Sequence, residues 1–335
     1  MPALPRRSTR RPTAARAASA AAALVGLSLL AGCAAQPAAT PSASASGSGS
    51  ATAATTIDDC GVAVAPMAQP AERIVAVKST AAELVVALGL GDALVSTAVL
   101  DGPLEGADAP TIEGMPSREA LLALEPDAVV AGWESAFAPE AAGDRATLAE
   151  LGVTTWVSPA ACRSVDVAPL DWDALLGELA DAGAVLGVPE AGEALAAEQR
   201  AALEAIEPLD GGASALWYSS GEDAPYVGGG TGAPQLVLES AGLTNVAADV
   251  DEAWTTMSWE ALAASDPDVI VLVDAAWHTA ASKVERLRAN PATAQLEAVR
   301  EERFVVVPFP MAEAGVGSVA AVDAVVDAAR EMGLG

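Results

Sequence analysis

One histidine, three cysteines and a large excess of carboxylates limit the chemistry open to this chain. A nucleophilic triad needs a histidine, and His278 is the single one. No Gly-x-Ser-x-Gly elbow accompanies it. Zinc hydrolases and metal-capture sites need several His or Cys at set spacings, and those spacings are missing. Carboxylates are numerous enough for an acid–base glycosidase, but the order of the chain gives no pair a special place. No catalytic residue, cofactor or metal ligand is therefore assigned.

Binding chemistry is better supplied. Seven tryptophans stand against three phenylalanines and two tyrosines, and an indole face offers stacking area to a planar or apolar ligand. Trp133 and Trp277 each lie just past a short apolar run, with His278 beside the second. Trp217 and Tyr218 end another such run, whereas Trp156 and Trp172 read as core. Tyr226 and Gly229 fall in 219–232, a stretch with the Ser, Gly and Pro content of a binding loop. Its Gly228-Gly229-Gly230-Thr231-Gly232 run could turn amide N–H groups toward an anion. Without Gly-x-Gly-x-x-Gly spacing it is not a nucleotide motif, and a plain surface loop is the competing reading.

The first 33 residues read as export machinery. Five arginines precede an Ala/Leu/Val stretch over 17–30, too short for a permanent membrane helix. The stretch ends in Leu30-Ala31-Gly32-Cys33, which resembles the lipobox of bacterial lipoproteins. An ordinary secretory cleavage site holding a cysteine is the alternative. Residues 34–56 carry no charge and are rich in Ala, Ser, Thr and Gly, the composition of a flexible tether. Removal of the signal leaves 17 − 5 = 12 Lys and Arg against 45 Asp and Glu, so the mature body carries a charge near −33. Nucleic acid and anionic lipid surfaces are excluded as partners by that charge. With Cys33 lipidated, Cys60 and Cys162 remain as a pair in an oxidising compartment. They are either bridged or two buried thiols; a bridge closing about 100 residues is worth up to ~4.7 kcal/mol in chain-entropy models.

The elements that position these residues show a duplication. Ser117 to Val130 (SREALLALEPDAVV) recurs 141 residues later as Ser258 to Val271 (SWEALAASDPDVIV). Each copy predicts a Ser-capped helix, a Pro-Asp turn and a buried strand. Further strands are expected at 73–77, 93–97, 154–157, 213–218 and 304–307. Thr80 to Glu83 reads as a capping box opening a helix that ends at Gly89. Residues 172–206 are mostly helical, interrupted near Gly187-Val188-Pro189. The expected fold is α/β, with two similar α/β lobes joined by a long rigid helix. The divisions are a signal peptide 1–33, a tether 34–56, an N-terminal lobe 57–170, a connecting helix 171–208 and a C-terminal lobe 209–335.

Over roughly Cys60 to Met332 the chain resembles the substrate-binding proteins of ABC importers for ferric siderophores, haem and cobalamin. The likeness is carried by Glu72 to Val77, Glu83 to Asp92, both Pro-Asp units, Gly132-Trp133-Glu134-Ser135 and Asn290-Pro291. Trp217 to Gly221, Pro225 to Gly228, Gly232 to Gln235 and Glu313 to Val316 are similar to an actinobacterial subgroup proposed to bind a deazaflavin cofactor precursor. In that subgroup Arg follows where Gly317 stands, and Asn stands where His278 does. The resemblance implies a monomer, lipid-anchored at the outer face of the cell membrane, that holds a small-molecule ligand between its lobes. It also implies delivery to an ABC importer permease dimer, with Glu119 and Glu239 as docking acids. Glu260, the internal counterpart of Glu119, competes with Glu239 for the second role. A carboxylate hydrolase and a ligand sensor of the same fold are the other readings.

Overall fold

The computed structural model describes residues 56–335. The signal segment, Cys33 and the tether up to residue 55 lie outside the described residues.

The first lobe opens with an antiparallel hairpin of β1 (Ile57–Asp59) and β2 (Val62–Val64). Then follow β3 (Ile74–Val77), α1 (Ser79–Ala87), β4 (Leu94–Ala98), β5 (Thr111–Ile112) and α2 (Arg118–Leu122). The lobe closes with β6 (Ala128–Ala131), α3 (Arg145–Glu150) and β7 (Thr154–Val157). Its five-stranded sheet runs β5-β4-β3-β6-β7 and is parallel throughout. β3 and β6 are buried along their whole length, which is why both are apolar on both faces rather than alternating.

The capping box expected at Thr80 does not form. α1 starts two residues earlier, with Lys78 rather than Thr80 at its N-cap and no side-chain cap. Lys78 takes φ +84°, a region that side chains rarely occupy and that costs on the order of 1–3 kcal/mol. Its N–H is bound to the Ala98 carbonyl at 2.9 Å. Beside it, a Cβ on Gly132 would fall 2.3 Å from Thr80 Oγ1, so only glycine lets β6 and α1 approach.

Two helices, α4 (Trp172–Val185) and α5 (Pro189–Ala205), make the connector. The chain reverses between them where Gly187 (φ +77°) packs on the Gln69 carbonyl. A Cβ on Gly183 would stand 2.6 Å from Gly192 Cα, so the helices pack nearly backbone to backbone. Trp172, at the start of α4, donates to Ser240 Oγ in the second lobe at 2.8 Å. Farther along, Leu176, Leu179 and Leu186 enter the first lobe's core. Leu203 and Ile206 return to the second. The two packed spans thus contribute side chains to the cores of both lobes.

The second lobe contains β8 (Ser214–Ser220), β9 (Tyr226–Gly228), α6 (Ala233–Ser240), β10 (Thr244–Asn245) and β11 (Trp254–Thr256). It continues with α7 (Trp259–Ser265), β12 (Val269–Asp274), α8 (Ala280–Ala289), α9 (Glu297–Arg300), β13 (Phe304–Pro308), α10 (Phe309–Ala312) and α11 (Ser318–Glu331). The sheet order is β11-β9-β8-β12-β13, with β10 also paired to β8. β8, β12 and β13 are parallel; β9 and β11 turn antiparallel at the edge.

Both duplicated units fold alike. Ser117 Oγ accepts from Ala120 N–H and Ser258 Oγ from Ala261 N–H, capping α2 and α7. Glu125 and Asp266, before the two prolines, both take positive φ. Asp127 then accepts from the N–H groups of Glu72 and Arg73, while Asp268 accepts from Ser214. Each Pro-Asp turn thus pins the start of the neighbouring central strand, β3 or β8.

Candidate functional site

Loops leaving the C-terminal ends of both sheets enclose a cleft between the lobes, where open α/β sheets take their ligands. It has two adjoining compartments, of about 400 and 430 Å³. Arg163, Tyr226, Trp254 and Glu313 line both. Trp133, Trp277 and Phe309 complete the aromatic side of the larger one. Such a volume suits a ligand of drug or cofactor size.

The aromatic wall is ordered by contacts that cross the lobes. Trp133, just past β6, meets Phe309 of the second lobe edge-on, with centroids 6.4 Å apart. Trp277, 59 % exposed, meets the same ring at 5.7 Å. Tyr226 and Trp254 stack at 5.9 Å because β9 and β11 pair side by side. Under the wall lies Lys78, its Nζ 4.1 Å from the Trp133 ring centroid and 4.5 Å from that of Phe309. Asp101 holds the same ammonium at 2.7 Å, with both side chains almost wholly buried. A positive-φ lysine fixed by a carboxylate and two aromatic faces explains how the strained turn persists.

Glu313 accepts the Trp133 indole N–H at 3.3 Å. Burial is the largest influence on its carboxyl and holds it above the usual range, while the Trp133 N–H and the Lys78 ammonium act in the opposite direction. At the back of the cleft Glu178 bonds Ser158 Oγ at 3.1 Å. It keeps part of its surface in a narrow crevice beside Ala314 and Val316, yet burial pushes it up to about 8.

Several residues assigned to the cleft from sequence stand elsewhere. Trp217 and Tyr218 are fully buried within β8. Trp217 packs in the core beneath α6 and α11, and Tyr218 OH donates to the Gly221 carbonyl at 2.8 Å. His278 is packed edge-on against Tyr218, with Nε2 buried and unpartnered. Burial lowers its pKa, and Lys283 and Arg286 add to that. The glycine run offers no anion cradle. The N–H groups of Gly229, Gly230 and Thr231 donate to the carbonyls of Ala253, Val250 and Glu252, and a Cβ on Gly229 would meet the Glu252 carbonyl at 2.1 Å. These glycines serve backbone approach to the 248–253 loop. Trp133, Tyr226 and Trp277 do line the cleft; Arg163, Trp254, Phe309 and Glu313 join them unannounced, with Lys78 buried beneath the aromatic wall.

At the edge of the cleft, which Cys162 helps to line, Cys60 and Cys162 form a disulfide with Cα atoms 5.4 Å apart. Beside it Arg145 and the fully buried Asp59 pair at 2.5 Å. Burial dominates Asp59, raising it to about 6 against the pull of that arginine. Among the described residues, the sole cluster with metal-ligand spacing is Asp59 with these two bonded sulfurs; a disulfide offers no thiolate, so it is not a metal site. Glu119 and Glu239 are exposed, in α2 and α6 respectively. No helix of the described residues is long and apolar enough to cross a membrane.

No curated protein matches the chain. Solved structures do. A protein of the ABC-type Fe3+-hydroxamate transport system of Saccharomonospora viridis superposes with TM-score 0.68 at 26 % identity, covering 82 % of this chain and 98 % of that one. A periplasmic haem-binding protein of Roseiflexus gives 0.61 at 27 %, over 77 % and 99 %. A periplasmic binding protein of Veillonella parvula, at 21 % identity, shares the fold with TM-score 0.68 over 82 % and 96 %. The family model described as periplasmic binding protein matches residues 74–311. That match spans both sheets and the connector, and the chain belongs to the periplasmic binding protein family.

Proposed function

We propose that this chain is the extracytoplasmic receptor of an ABC importer, anchored through lipidated Cys33 and acting as a monomer. It captures a small planar ligand in the cleft and presents it to a permease dimer, and it catalyses no reaction. The aromatic wall of Trp133, Phe309, Trp277, Tyr226 and Trp254 around a 430 Å³ compartment carries this reading. Such rings bind flat, partly apolar molecules through their faces. Glu119 and Glu239 serve as docking acids, one on each lobe, which sets the orientation on a basic partner.

For the ligand, a deazaflavin cofactor precursor is favoured. A tricyclic ring with a polar chain matches an aromatic wall that passes into a more polar compartment. The Saccharomonospora and Roseiflexus neighbours support a second reading, an iron chelate or haem. Mass and absorbance of small molecules that co-purify with the protein separate the two. A deazaflavin chromophore is the expected result; a ferric chelate or haem band replaces the first ligand with the second. A purified receptor that neither carries nor takes up any planar ligand removes the reading altogether.

A further inference from the structure

Among the described residues, Arg163 is the one basic side chain lining either compartment of the cleft. Of the described arginines, Arg145, Arg200, Arg286, Arg288 and Arg303 are ion-paired, whereas Arg73, Arg118, Arg300 and Arg330, like Arg163, are not; among these unpaired arginines only Arg163 lines the cleft. Arg163 forms no ion pair among the described residues, although Asp166, Asp251, Glu252 and Glu313 line the same compartment. A single N–H of its guanidinium is spent, on the Cys162 carbonyl at 2.8 Å. The remaining donors form a planar fork suited to an oxyanion.

Its backbone is fixed from three sides. The preceding residue is Cys162, tied to the β1–β2 hairpin through Cys60. The N–H groups of Arg163 and Ser164 both donate to the Glu134 carboxylate, and Ser164 Oγ reaches the Cys60 carbonyl at 3.4 Å. These donors hold Glu134 below its usual range although burial, the largest single influence, pushes the other way. A long side chain on so firmly held a segment loses less freedom on meeting a ligand than one on a loose loop. Asp166, Asp251 and Glu252, like Arg163 itself, are exposed, so water screens them more than it screens a direct contact; Glu313 is half-buried, with its carboxyl held above the usual range.

We infer that Arg163 is the anion-reading residue of the cleft, and that the ligand carries a phosphate or carboxylate beside its planar ring. This rests on the reading of the cleft as the capture site. The test uses one ring with and without the anion: 5-deazariboflavin and its 5′-phosphate, titrated into the full chain by tryptophan fluorescence. The phosphate ester should bind about tenfold or more tightly than the parent, the usual scale for a charge-assisted contact. Arg163→Gln should erase that preference while leaving the parent compound within about twofold, and Arg163→Lys should retain part of it. A preference unchanged in Arg163→Gln, or absent from the wild type while the parent still binds, overturns the arginine's role and leaves the capture site standing. Quenching by neither compound removes the deazaflavin reading of the cleft and this inference together.

Discussion

The indole N–H of Trp133 in the first lobe is bonded to the carboxyl of Glu313 in the second, 180 residues away in sequence. Phe309 and Lys78 pack around the same contact, so the lobes are latched at the floor of the cleft as well as braced by α4 and α5. Trp133→Phe keeps the edge-on packing and removes the donor. It should lower stability by about 0.5–1.5 kcal/mol, whereas Glu313→Gln, which keeps an acceptor, should be close to neutral. Denaturant midpoints of the two variants measure this; equal losses would mean that the bond is not the latch.

Stability should fall as pH rises from about 5 to 8. Burial raises Asp59 and Glu83 to about 6 and Glu178 to about 8, and also raises Asp181 and Glu313. A carboxyl whose folded pKa lies above its unfolded one favours folding below the unfolded value. That contribution is lost as pH climbs through the folded pKa. His278, lowered by burial, works the other way but is a single group. Glu134, Asp144 and Asp268 are lowered, so their contribution is lost only in acid below this window. Melting at pH 5.5 should exceed melting at pH 8 by roughly 3 °C or more. Glu178→Gln should recover part of the difference, and a flat profile would contradict the buried acids.

The chain has two lysines, Lys78 and Lys283, and the fold buries both, at 2 % and 0 % exposure. Lys283 donates to the carbonyls of Val273 and His278, and burial lowers it to about 8. An amine-reactive ester should leave both side chains unmodified in the native protein and label both after unfolding. Peptide mapping reads this directly; rapid native labelling of Lys78 would contradict its place under the aromatic wall.

Replacing Glu119 and Glu239 together by Ala should leave ligand affinity within about twofold and reduce import, each lost charged contact being worth about 1.5–3 kcal/mol. Neither residue lines the cleft. Normal uptake by the double variant would remove them from docking, and Glu260, equally exposed at the start of α7, would then be the second acid to replace.

Much of the fold was legible because its signals are local. Ser117 and Ser258 cap, Pro126 and Pro267 stop, and Asp127 and Asp268 pin the adjacent strand, all within fourteen-residue units. The cleft was legible only in part, because its walls gather from loops far apart in the chain. Trp133 and Trp277 follow strands and could be placed by that rule. Trp217 also ends an apolar run but lies inside β8, a central strand buried on both faces, so its side chain is core whichever way it points. Lys78 follows an unbroken apolar strand at the carboxyl end of the sheet, next to the cleft, and that position is its one signal in the sequence. Arg163 gave none: its place depends on a disulfide and on Glu134 some 30 residues earlier.

The central claim is that a planar ligand is captured by the aromatic wall of the cleft. Tryptophan fluorescence of the full chain, titrated separately with 5-deazariboflavin 5′-phosphate and with a ferric hydroxamate, tests it most directly. The account predicts saturable quenching by the deazaflavin at micromolar concentrations or below, weakened about tenfold or more when Trp277 is replaced by Ala. Equal binding by wild type and Trp277→Ala, or tight quenching by the ferric hydroxamate with none by the deazaflavin, would contradict it.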